Sequence, residues 1–497
     1  MTNELLDIEG LLSDRETRKQ RKKRLAGEYR RRAEARKEAE RAAAVDVPLP
    51  RRAFAAKGER VPENFTGVSY VKVPLHRAST RVFSAAYPFM AQGSLGHEGV
   101  YMGQDKTGGG AFCVDPWKWY DKKFVDGTSM VLLGAVGTGK STCGKTMVSR
   151  LVQLGKRAAV CSDLKGEWVQ VARYVNGGVI SVGPGKGTCI NPLDEGSRPS
   201  RTKAGDVLTD GAWAAIVRAR RLALLKTIIG LLLGSGDDVR PEEDTALTFA
   251  LDTAVAEAEH GGYTVTIKHI VELLKNPGAE ARAEVGDAGR RLYHALRRML
   301  TGDLAGMFDG ESTESFDATL PMMVIDTSAL KSASAEARKI TNACTAAWVE
   351  AAVTNPDNGQ RILIYEEGWD SMSDPFSLAR MVEQWKLARD YGISNLLIMH
   401  KVADTDMAGD AGSQTQAMAR SLLTDAEIAI IYRQKPDALD ATEKAFGLTD
   451  TERQEVRKLP KGHGLWKVGD KSFIVQNIMT EAEAPVFNTD SRMGKAA

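Results

Sequence analysis

The chain has 497 residues, of which 43% are hydrophobic and 27% are charged, and its formal net charge is only +2. These values are typical of a globular protein, and the length suggests roughly three domains. Five widely spaced cysteines without a C-x-x-C pair argue against zinc or a disulfide framework and suit a reducing cytoplasm. The most apolar run, Leu222 to Leu233, is too short to span a bilayer, and the N-terminus shows no secretory signal pattern.

A strongly basic segment opens the chain. Between Arg15 and Arg41 there are thirteen Lys or Arg residues against five Glu. This composition favours a helix but gives it almost no apolar face, so the segment cannot bury a core. We predict a basic, helical or partly disordered arm over residues 1–60. Its surface is either merely solvated or binds nucleic acid, acidic lipid or a docking partner.

Short strands and turns follow over residues 61–127, which we predict to be a small β-rich lead-in. Candidate strands there are Val68 to Val73 and Gly99 to Gly103. From residue 128 the pattern becomes α/β, and several strands are continuous apolar runs, as in a sheet that is covered on both faces. The predicted strands of this core are 129–133, 158–163, 178–182, 322–327, 361–365, 394–399 and 427–432.

The most informative stretch is Gly134 to Ser141, which matches G-x-x-x-x-G-K-[ST] of the P-loop. It follows a short apolar strand and opens a predicted helix, Ser141 to Leu154. A strand, a glycine turn and a helix N-terminus together present backbone N–H groups to phosphate oxygens. Lys140 would reach the β- and γ-phosphates of ATP, and the Ser141 hydroxyl would ligate Mg²⁺. The predicted nucleotide-binding residues are Gly134, Gly137, Thr138, Gly139, Lys140, Ser141 and Thr142.

Strand signals vanish between residues 203 and 305, where apolar periodicity predicts only helices. We interpret this stretch as an all-helical subdomain inserted into an α/β core that spans residues 128–480. A hairpin over 462–467 and 472–476 closes the core, and residues 481–497 are expected to form a flexible tail. The predicted helices of the insertion are Trp213 to Leu233, Glu242 to Glu259, Ile267 to Leu274 and Ala288 to Leu300.

Two acidic residues, Glu366 and Glu367, follow the apolar strand that ends at Tyr365. A P-loop enzyme needs one carboxylate near Mg²⁺ and another group that activates the attacking water. We assign Glu366 to the magnesium shell, where the usual residue is Asp, and Glu367 as the catalytic base. The alternative is that both are surface acids at the end of a strand.

Polar residues also end two other predicted strands. His400 follows Met399, at a position where motor ATPases often carry a sensor of the γ-phosphate; it is either such a sensor or a structural histidine. Asp163 is the last residue of the predicted strand 158–163. Its carboxylate lies either near the nucleotide, as in doubly wound folds, or at the N-cap of a helix.

The order of these pieces resembles the large energising ATPases of conjugative type IV secretion systems, the TraC-like family. The resemblance covers about residues 85–480. Three features depart from the family pattern: Glu366 replaces Asp, His400 stands where Gln is usual, and the basic arm takes the place of an N-terminal docking domain. The matching segments are Pro88-Phe89, Gly99 to Gly103, Asp115, Asp163 to Glu167, Asn191-Pro192-Leu193, Gly306 to Gly310, Val324 to Asp326, Glu366 to Trp369, Ala388 to Gly392 and Gly462 to Leu465.

This resemblance implies a RecA-like motor of the HerA/FtsK superfamily that uses ATP and Mg²⁺. It also implies a hexamer at the inner, cytoplasmic face of the bacterial cell membrane, bound to inner-membrane components of a conjugation or secretion channel. Such a motor energises substrate transfer or channel assembly, with DNA as a further partner. Two alternatives stay open: a coupling protein that translocates DNA itself, usually with transmembrane helices, and a nucleotide-gated assembly factor with little turnover.

Ring-forming ATPases complete each site with an arginine from the neighbouring subunit. The candidates are Arg389, Arg420 and Arg433, which all follow the proposed catalytic strand. Arg389 is favoured as a catalytic residue because it lies between the acidic pair and His400. Each of the three could instead be an ordinary surface arginine.

Overall fold

The computed structural model describes residues 94–201, 206–234, 239–355, 358–366, 375–402 and 414–487, together with the single positions Gly27, Arg31 and Glu34. At positions 375, 376, 387, 389, 414 and 415 only the backbone is described. The chain divides into two compact units, Met1–Pro88 and Phe89–Ala497, and the elements below belong to the second. Apart from Gly27, Arg31 and Glu34, the predicted basic arm lies outside the described residues, as do the strand Val68 to Val73 and Glu367.

One eleven-stranded sheet runs through this unit, with the order β2-β1-β11-β10-β9-β3-β8-β7-β4-β6-β5. The strands from β9 to β5 are parallel, and those from β9 to β2 pair antiparallel. All seven predicted core strands and the closing hairpin are found. The strands are β1 (Val100–Asp105), β2 (Ala111–Val114), β3 (Met130–Leu133), β4 (Arg157–Asp163), β5 (Gly178–Ser181), β6 (Met322–Asp326), β7 (Arg361–Tyr365), β8 (Ile393–Met399), β9 (Ile428–Tyr432), β10 (His463–Val468) and β11 (Lys471–Asn477).

Helices cover the sheet, and five of them, α4 to α8, form the helical insertion between β5 and β6. All four helices predicted for this insertion are present, and α7 adds a fifth. None of the described helices is long and apolar enough to cross a membrane. The helices are α1 (Pro116–Asp121), α2 (Lys140–Gln153), α3 (Val169–Tyr174), α4 (Asp210–Leu233), α5 (Pro241–Gly261), α6 (Ile267–Lys275), α7 (Ala279–Val285), α8 (Arg290–Thr301), α9 (Ala335–Val353), α10 (Pro375–Ala388), α11 (Gln414–Thr424), α12 (Pro436–Phe446), α13 (Asp450–Lys458) and α14 (Ala484–Phe487).

The central strands are apolar along their whole length because both faces of the sheet are covered. In β3, Val131 and Leu133 belong to one core with the helical insertion, whereas Met130 and Leu132 belong to a second core with α2 and α3. All four side chains are fully buried. Successive side chains of a strand point to opposite faces, so a strand between two cores needs a continuous apolar run.

Strand β8 lies between β3, which leads into the P-loop, and β7, which leads to Glu366. At their carboxyl ends Leu133 pairs with Met399, and Tyr365 pairs with Leu397. These strands therefore end at one edge of the sheet, which we call the P-loop edge. The carboxyl ends of parallel strands are where open α/β sheets bind their ligands.

The described part of the predicted lead-in continues this sheet, because β1 pairs with both β2 and β11. Gly103 permits the close approach of β11, since a Cβ atom there would lie 1.8 Å from the Gln476 carbonyl oxygen. At the other terminus, residues 481–487 pack onto the core, although the sequence predicts a flexible tail from residue 481. Phe487 is fully buried, and Glu483 accepts hydrogen bonds from Arg150 Nε and Nη2 at 2.7 and 2.6 Å.

Candidate nucleotide-binding site

The P-loop joins β3 to α2 at the P-loop edge. Gly137 and Gly139 have φ values of +78° and +103°, in the left-handed region that favours glycine. Gly139 is the N-cap of α2, and no side chain makes a capping hydrogen bond there. A Cβ atom built on Gly137 meets no heavy atom within 4 Å. The loop therefore borders open space beside a helix N-terminus, which is the arrangement that binds phosphate.

The loop is held in place from behind. The Ala135 N–H donates to the Arg433 carbonyl oxygen at 3.1 Å, and the Gly462 N–H donates to the Thr138 carbonyl oxygen at 2.9 Å. A Cβ atom on Gly134 would lie 2.5 Å from Cβ of Tyr432, so only glycine fits. These contacts hold the loop through the protein's own backbone, and a loop that is held in place has less conformational entropy to lose on binding.

Lys140 and His400 meet at this edge. The Lys140 ammonium donates to the Met399 carbonyl oxygen at 3.1 Å and lies 3.1 Å from His400 Nδ1. Lys140 is 6% exposed, so its charge lies largely away from water. The carbonyl and the imidazole supply polar partners that such a buried charge requires.

Glu366 follows β7 at the same edge and is partly buried. Its Oε2 accepts a hydrogen bond from Trp168 Nε1 at 2.8 Å. Burial raises the pKa of the Glu366 carboxyl, while the bond from Trp168 and the positive charge of Lys140 oppose that rise. Glu366 is thus a partly buried, hydrogen-bonded acid at the P-loop edge.

The residues present suit a magnesium–nucleotide complex. Ser141 stands in the first turn of α2, directly after Lys140, and Thr142 follows it. A hydroxyl and a carboxylate are hard oxygen ligands of the kind that Mg²⁺ prefers, and Mg²⁺ sites commonly combine one or two carboxylates with phosphates and water. The open space beside Gly137 leaves room for the phosphates.

The candidate arginines differ in where the fold places them relative to the P-loop. Arg389 begins the 3₁₀ turn that precedes β8, so its backbone lies at the opposite end of this strand from His400. The seven residues of β8 span about 23 Å. Arg433 has an exposed side chain beside the P-loop of its own chain, and Arg420 is exposed on α11.

Other residues at the site were missed in the sequence. Trp168 holds Glu366, and Lys145 on α2 is fully buried and donates to Glu167 Oε2 at 2.7 Å. Both contacts involve the segment that begins at Asp163, whose carboxylate accepts the backbone N–H groups of Glu167 and Trp168. Asp163 is not the helix N-cap that one of its two interpretations expects, because α3 is capped at Trp168 without a side-chain hydrogen bond. In the sequence, Lys145 is a lysine inside an amphipathic helix and Trp168 is a tryptophan next to a motif. Neither pattern indicates which residue the side chain contacts.

Fold and site together define a RecA-like α/β core with a P-loop and a helical insertion. Residues 122–216 match a family model described as the type IV secretion-system coupling protein DNA-binding domain. In structure the chain is similar to VirB4 of Thermoanaerobacter pseudethanolicus, with a TM-score of 0.63, 19% identity, and coverage of 79% of this chain and 99% of that one. These findings confirm the fold class and the predicted resemblance to the ATPases of type IV secretion.

A second similar structure is the plasmid coupling protein TrwB in complex with the non-hydrolysable ATP analogue ADPNP. Its TM-score is 0.48 at 12% identity, over 79% of this chain and 91% of that chain. TrwB in complex with ADP and Mg²⁺ matches with a TM-score of 0.45 at 14% identity, over 71% and 85% of the two chains. No curated protein sequence matches this chain.

Proposed function

We propose that this chain is the ATP-hydrolysing motor of a conjugative type IV secretion or DNA-transfer system, which energises substrate transfer or channel assembly. The observation that carries the proposal is the meeting of Lys140 with His400 at the P-loop edge, beside the strand that leads to Glu366. This geometry supplies a phosphate-binding loop, a polar group on the neighbouring strand and a carboxylate. The family match over residues 122–216 supports the assignment to type IV secretion.

In the proposed mechanism the N–H groups of residues 137–142 and the Lys140 ammonium bind the phosphates of ATP. Lys140 exchanges its bonds to Met399 and His400 for bonds to the β- and γ-phosphates. The exchange releases His400 Nδ1 close to the γ-phosphate. His400 then changes partner when the γ-phosphate binds or leaves, which is the behaviour of a sensor.

Ser141 and Glu366 would hold Mg²⁺ or its water ligands. The bound ion would neutralise the charge that develops on the transferred phosphoryl group. Glu367, the next residue, is our candidate for the base that accepts a proton from the attacking water. Most of the rate then comes from positioning and charge stabilisation, with no covalent intermediate on the protein.

We further propose that the motor is a hexamer in which Arg389 acts on the site of a neighbour. The backbone of Arg389 lies at the opposite end of β8 from the P-loop of its own chain, so this residue suits only a site on another subunit. Arg433 lies beside its own P-loop and suits action within one chain. Such a ring would work peripherally at the inner face of the cell membrane, with channel components as partners.

A coupling protein that translocates DNA is the second candidate. The specific observation in its favour is the description of the matching family model, a coupling protein DNA-binding domain, over the part of the chain that contains the P-loop. Both candidates share the nucleotide chemistry described above. They differ in whether DNA itself stimulates turnover.

Steady-state phosphate release with and without DNA tests the proposal. We expect Mg²⁺-dependent hydrolysis that DNA changes little and that rises per subunit with protein concentration, because a trans arginine needs a neighbour. Strong stimulation by DNA would favour the coupling protein, and absence of turnover despite ATP binding would favour an assembly factor. Mixing Lys140→Ala with Arg389→Ala subunits should restore activity at interfaces that combine an intact P-loop with an intact arginine. The matched control uses Arg420→Ala in place of Arg389→Ala.

A further inference from the structure

The segment Asp163 to Trp168 folds as a closed turn between β4 and α3. The Asp163 carboxylate is fully buried and accepts the backbone N–H groups of Glu167 and Trp168 at 3.1 and 2.7 Å. Gly166 takes a φ of +69°, which lets the chain reverse. Both carboxylate oxygens are therefore used to shape the turn, and the following side chains, Glu167 and Trp168, are held in fixed directions.

These two neighbouring side chains hold two different parts of the P-loop edge. Glu167 accepts a hydrogen bond from Lys145, one turn beyond Ser141 on α2. Trp168 donates its indole N–H to Glu366 Oε2 at 2.8 Å. The turn thus links the helix that begins at the P-loop to the carboxylate that follows β7.

The indole ring has little freedom to move. Trp168 is fully buried, and its Cη2 atom would lie 3.9 Å from a Cβ atom on Gly144 of α2. The same Cβ position is 3.2 Å from Leu132 Cδ2 and 3.4 Å from Ile398 Cδ1, so α2, the sheet and the ring are in close contact. Tight packing of this kind fixes the direction of the N–H donor.

The length of the acid at position 366 matters for this hydrogen bond. Shortening Glu to Asp removes one methylene and draws the carboxylate back by about 1.5 Å, the length of one C–C bond. The separation of 2.8 Å would then exceed the range of an N–H···O hydrogen bond. A carboxylate oxygen accepts more than one hydrogen bond, so the bond to Trp168 leaves capacity for a metal-bound water.

We propose that Trp168 is a positioning residue which fixes the Glu366 carboxylate for Mg²⁺-dependent nucleotide binding, and that Glu366 and Trp168 form a matched pair. The pair accounts for Glu in place of the usual Asp: the longer side chain reaches a donor that Asp would miss. This inference rests on the proposed function, since it assigns a role at the same site.

The test measures the affinity for a fluorescent ADP analogue with Mg²⁺ and with EDTA in Trp168→Phe, Glu366→Asp and the double variant. We expect each single change to weaken Mg²⁺-dependent binding about tenfold, the scale of one hydrogen bond to a charged group, and to leave binding in EDTA within about twofold. The double variant should bind the analogue with Mg²⁺ no more weakly than Glu366→Asp alone, because each change breaks the same Trp168–Glu366 hydrogen bond. Trp119→Phe, at another buried tryptophan, is the packing control.

Three results would overturn the pairing: additive losses in the double variant, unchanged Mg²⁺ dependence in Trp168→Phe, or tighter Mg²⁺-dependent binding in Glu366→Asp. Should Trp168→Phe lose stability, Glu366→Asp tests the same bond with the buried indole intact. Glu366→Gln adds a further check, since Trp168→Phe should then cause no additional loss of Mg²⁺-dependent affinity. A wild-type chain that binds the analogue equally with Mg²⁺ and EDTA would overturn the proposed function as well, whereas the three results above overturn only the pairing.

Discussion

Helix α2, which begins at the P-loop, and the helical insertion contain ion pairs that differ in their exposure to water. On α2, Lys145 is fully buried against Glu167, and Arg150 in the last turn of the helix, 12% exposed, is paired with Glu483. In the helical insertion, Arg218 and its partner Asp252 are 44% and 47% exposed. Leu247 and its apolar neighbours on α5 fill the core there instead.

This difference has a physical consequence for each region. A buried ion pair fixes geometry, but removing one partner leaves a charge without compensation. Exposed pairs gain little because water and salt compete for both charges. We therefore expect the P-loop edge to depend on its charged residues for position and chemistry. The insertion should depend on apolar packing and tolerate changes at its exposed pairs, whereas its buried Glu243, which pairs with Arg291, should be sensitive to change.

Lys140→Ala should have the largest effect. The change removes the positive charge that the P-loop offers to the transferring phosphates, and loss of one such stabilising group costs about 10²–10³-fold in turnover. Phosphate release measures the effect, and Lys118→Ala, an exposed lysine on α1, is the control. Residual activity within tenfold of wild type would show that Lys140 is not part of the phosphate site.

Glu483→Ala should cost the most stability, about 3–5 kcal/mol, because it removes the charged partner of the largely buried Arg150 guanidinium. The guanidinium then keeps the Tyr101 and Ile478 carbonyl oxygens as acceptors. The difference in stability between wild type and Glu483→Gln should depend on pH. Burial opposes ionisation of Glu483, but hydrogen bonds from Arg150 and the Thr480 N–H outweigh it and hold the pKa below its ordinary value. The Glu483 carboxylate charge therefore contributes to the free energy of unfolding above the ordinary pKa of about 4.3. This contribution is lost as the pH falls through the lowered pKa.

Chemical denaturation at several pH values tests this expectation. The stability difference between wild type and Glu483→Gln should shrink as the pH drops below about 4. Glu455→Gln, at an exposed acid on α13, is the matched control and should show no such trend. A stability difference that stays constant down to pH 3 would mean that the charge of the Glu483 carboxylate does not contribute to stability.

Leu247→Ala tests the other side of the comparison. Leu247 is fully buried in the core of the insertion, and such truncations cost about 2–5 kcal/mol through lost transfer energy and a cavity. Nucleotide affinity at a temperature where the protein stays folded should be unchanged. Ile216→Ala, at an exposed position on α4, is the control for side-chain truncation. A loss of nucleotide affinity in Leu247→Ala would show that the two regions are coupled.

Local patterns in the sequence predicted the elements well, for reasons visible in the fold. Buried strands such as Met130–Leu133 are continuous apolar runs because they lie between two cores. The P-loop could be recognised because all its groups are contiguous. Glu366 was assigned to the magnesium shell for a similar reason: it follows an apolar strand, and polar residues at the ends of parallel strands share an edge.

Contacts between distant segments could not be predicted, because they depend on strand order. Trp168 and Glu366 are far apart in sequence and meet only because β4 and β7 are neighbours. Arg389 shows the reverse case. Its position between Glu366 and His400 suggests proximity to the site, yet α10 returns the chain to the far end of β8 before the strand begins. Positions along the sequence alone therefore indicate neither the contact of Trp168 with Glu366 nor the distance of Arg389 from the P-loop edge.

Arg218→Ala should have the smallest effect. Arg218 on α4 makes two hydrogen bonds to Asp252 on α5, at 2.6 and 2.8 Å, so its geometry is the most favourable that an exposed pair can have. Even so, both partners remain over two-fifths exposed, and we expect a loss of at most about 1 kcal/mol that shrinks with added salt. A double-mutant cycle with Asp252→Ala isolates the pair. A coupling energy of several kcal/mol that resists salt would mean that the insertion, like the P-loop edge, relies on ion pairs, and the contrast between the two regions would be wrong.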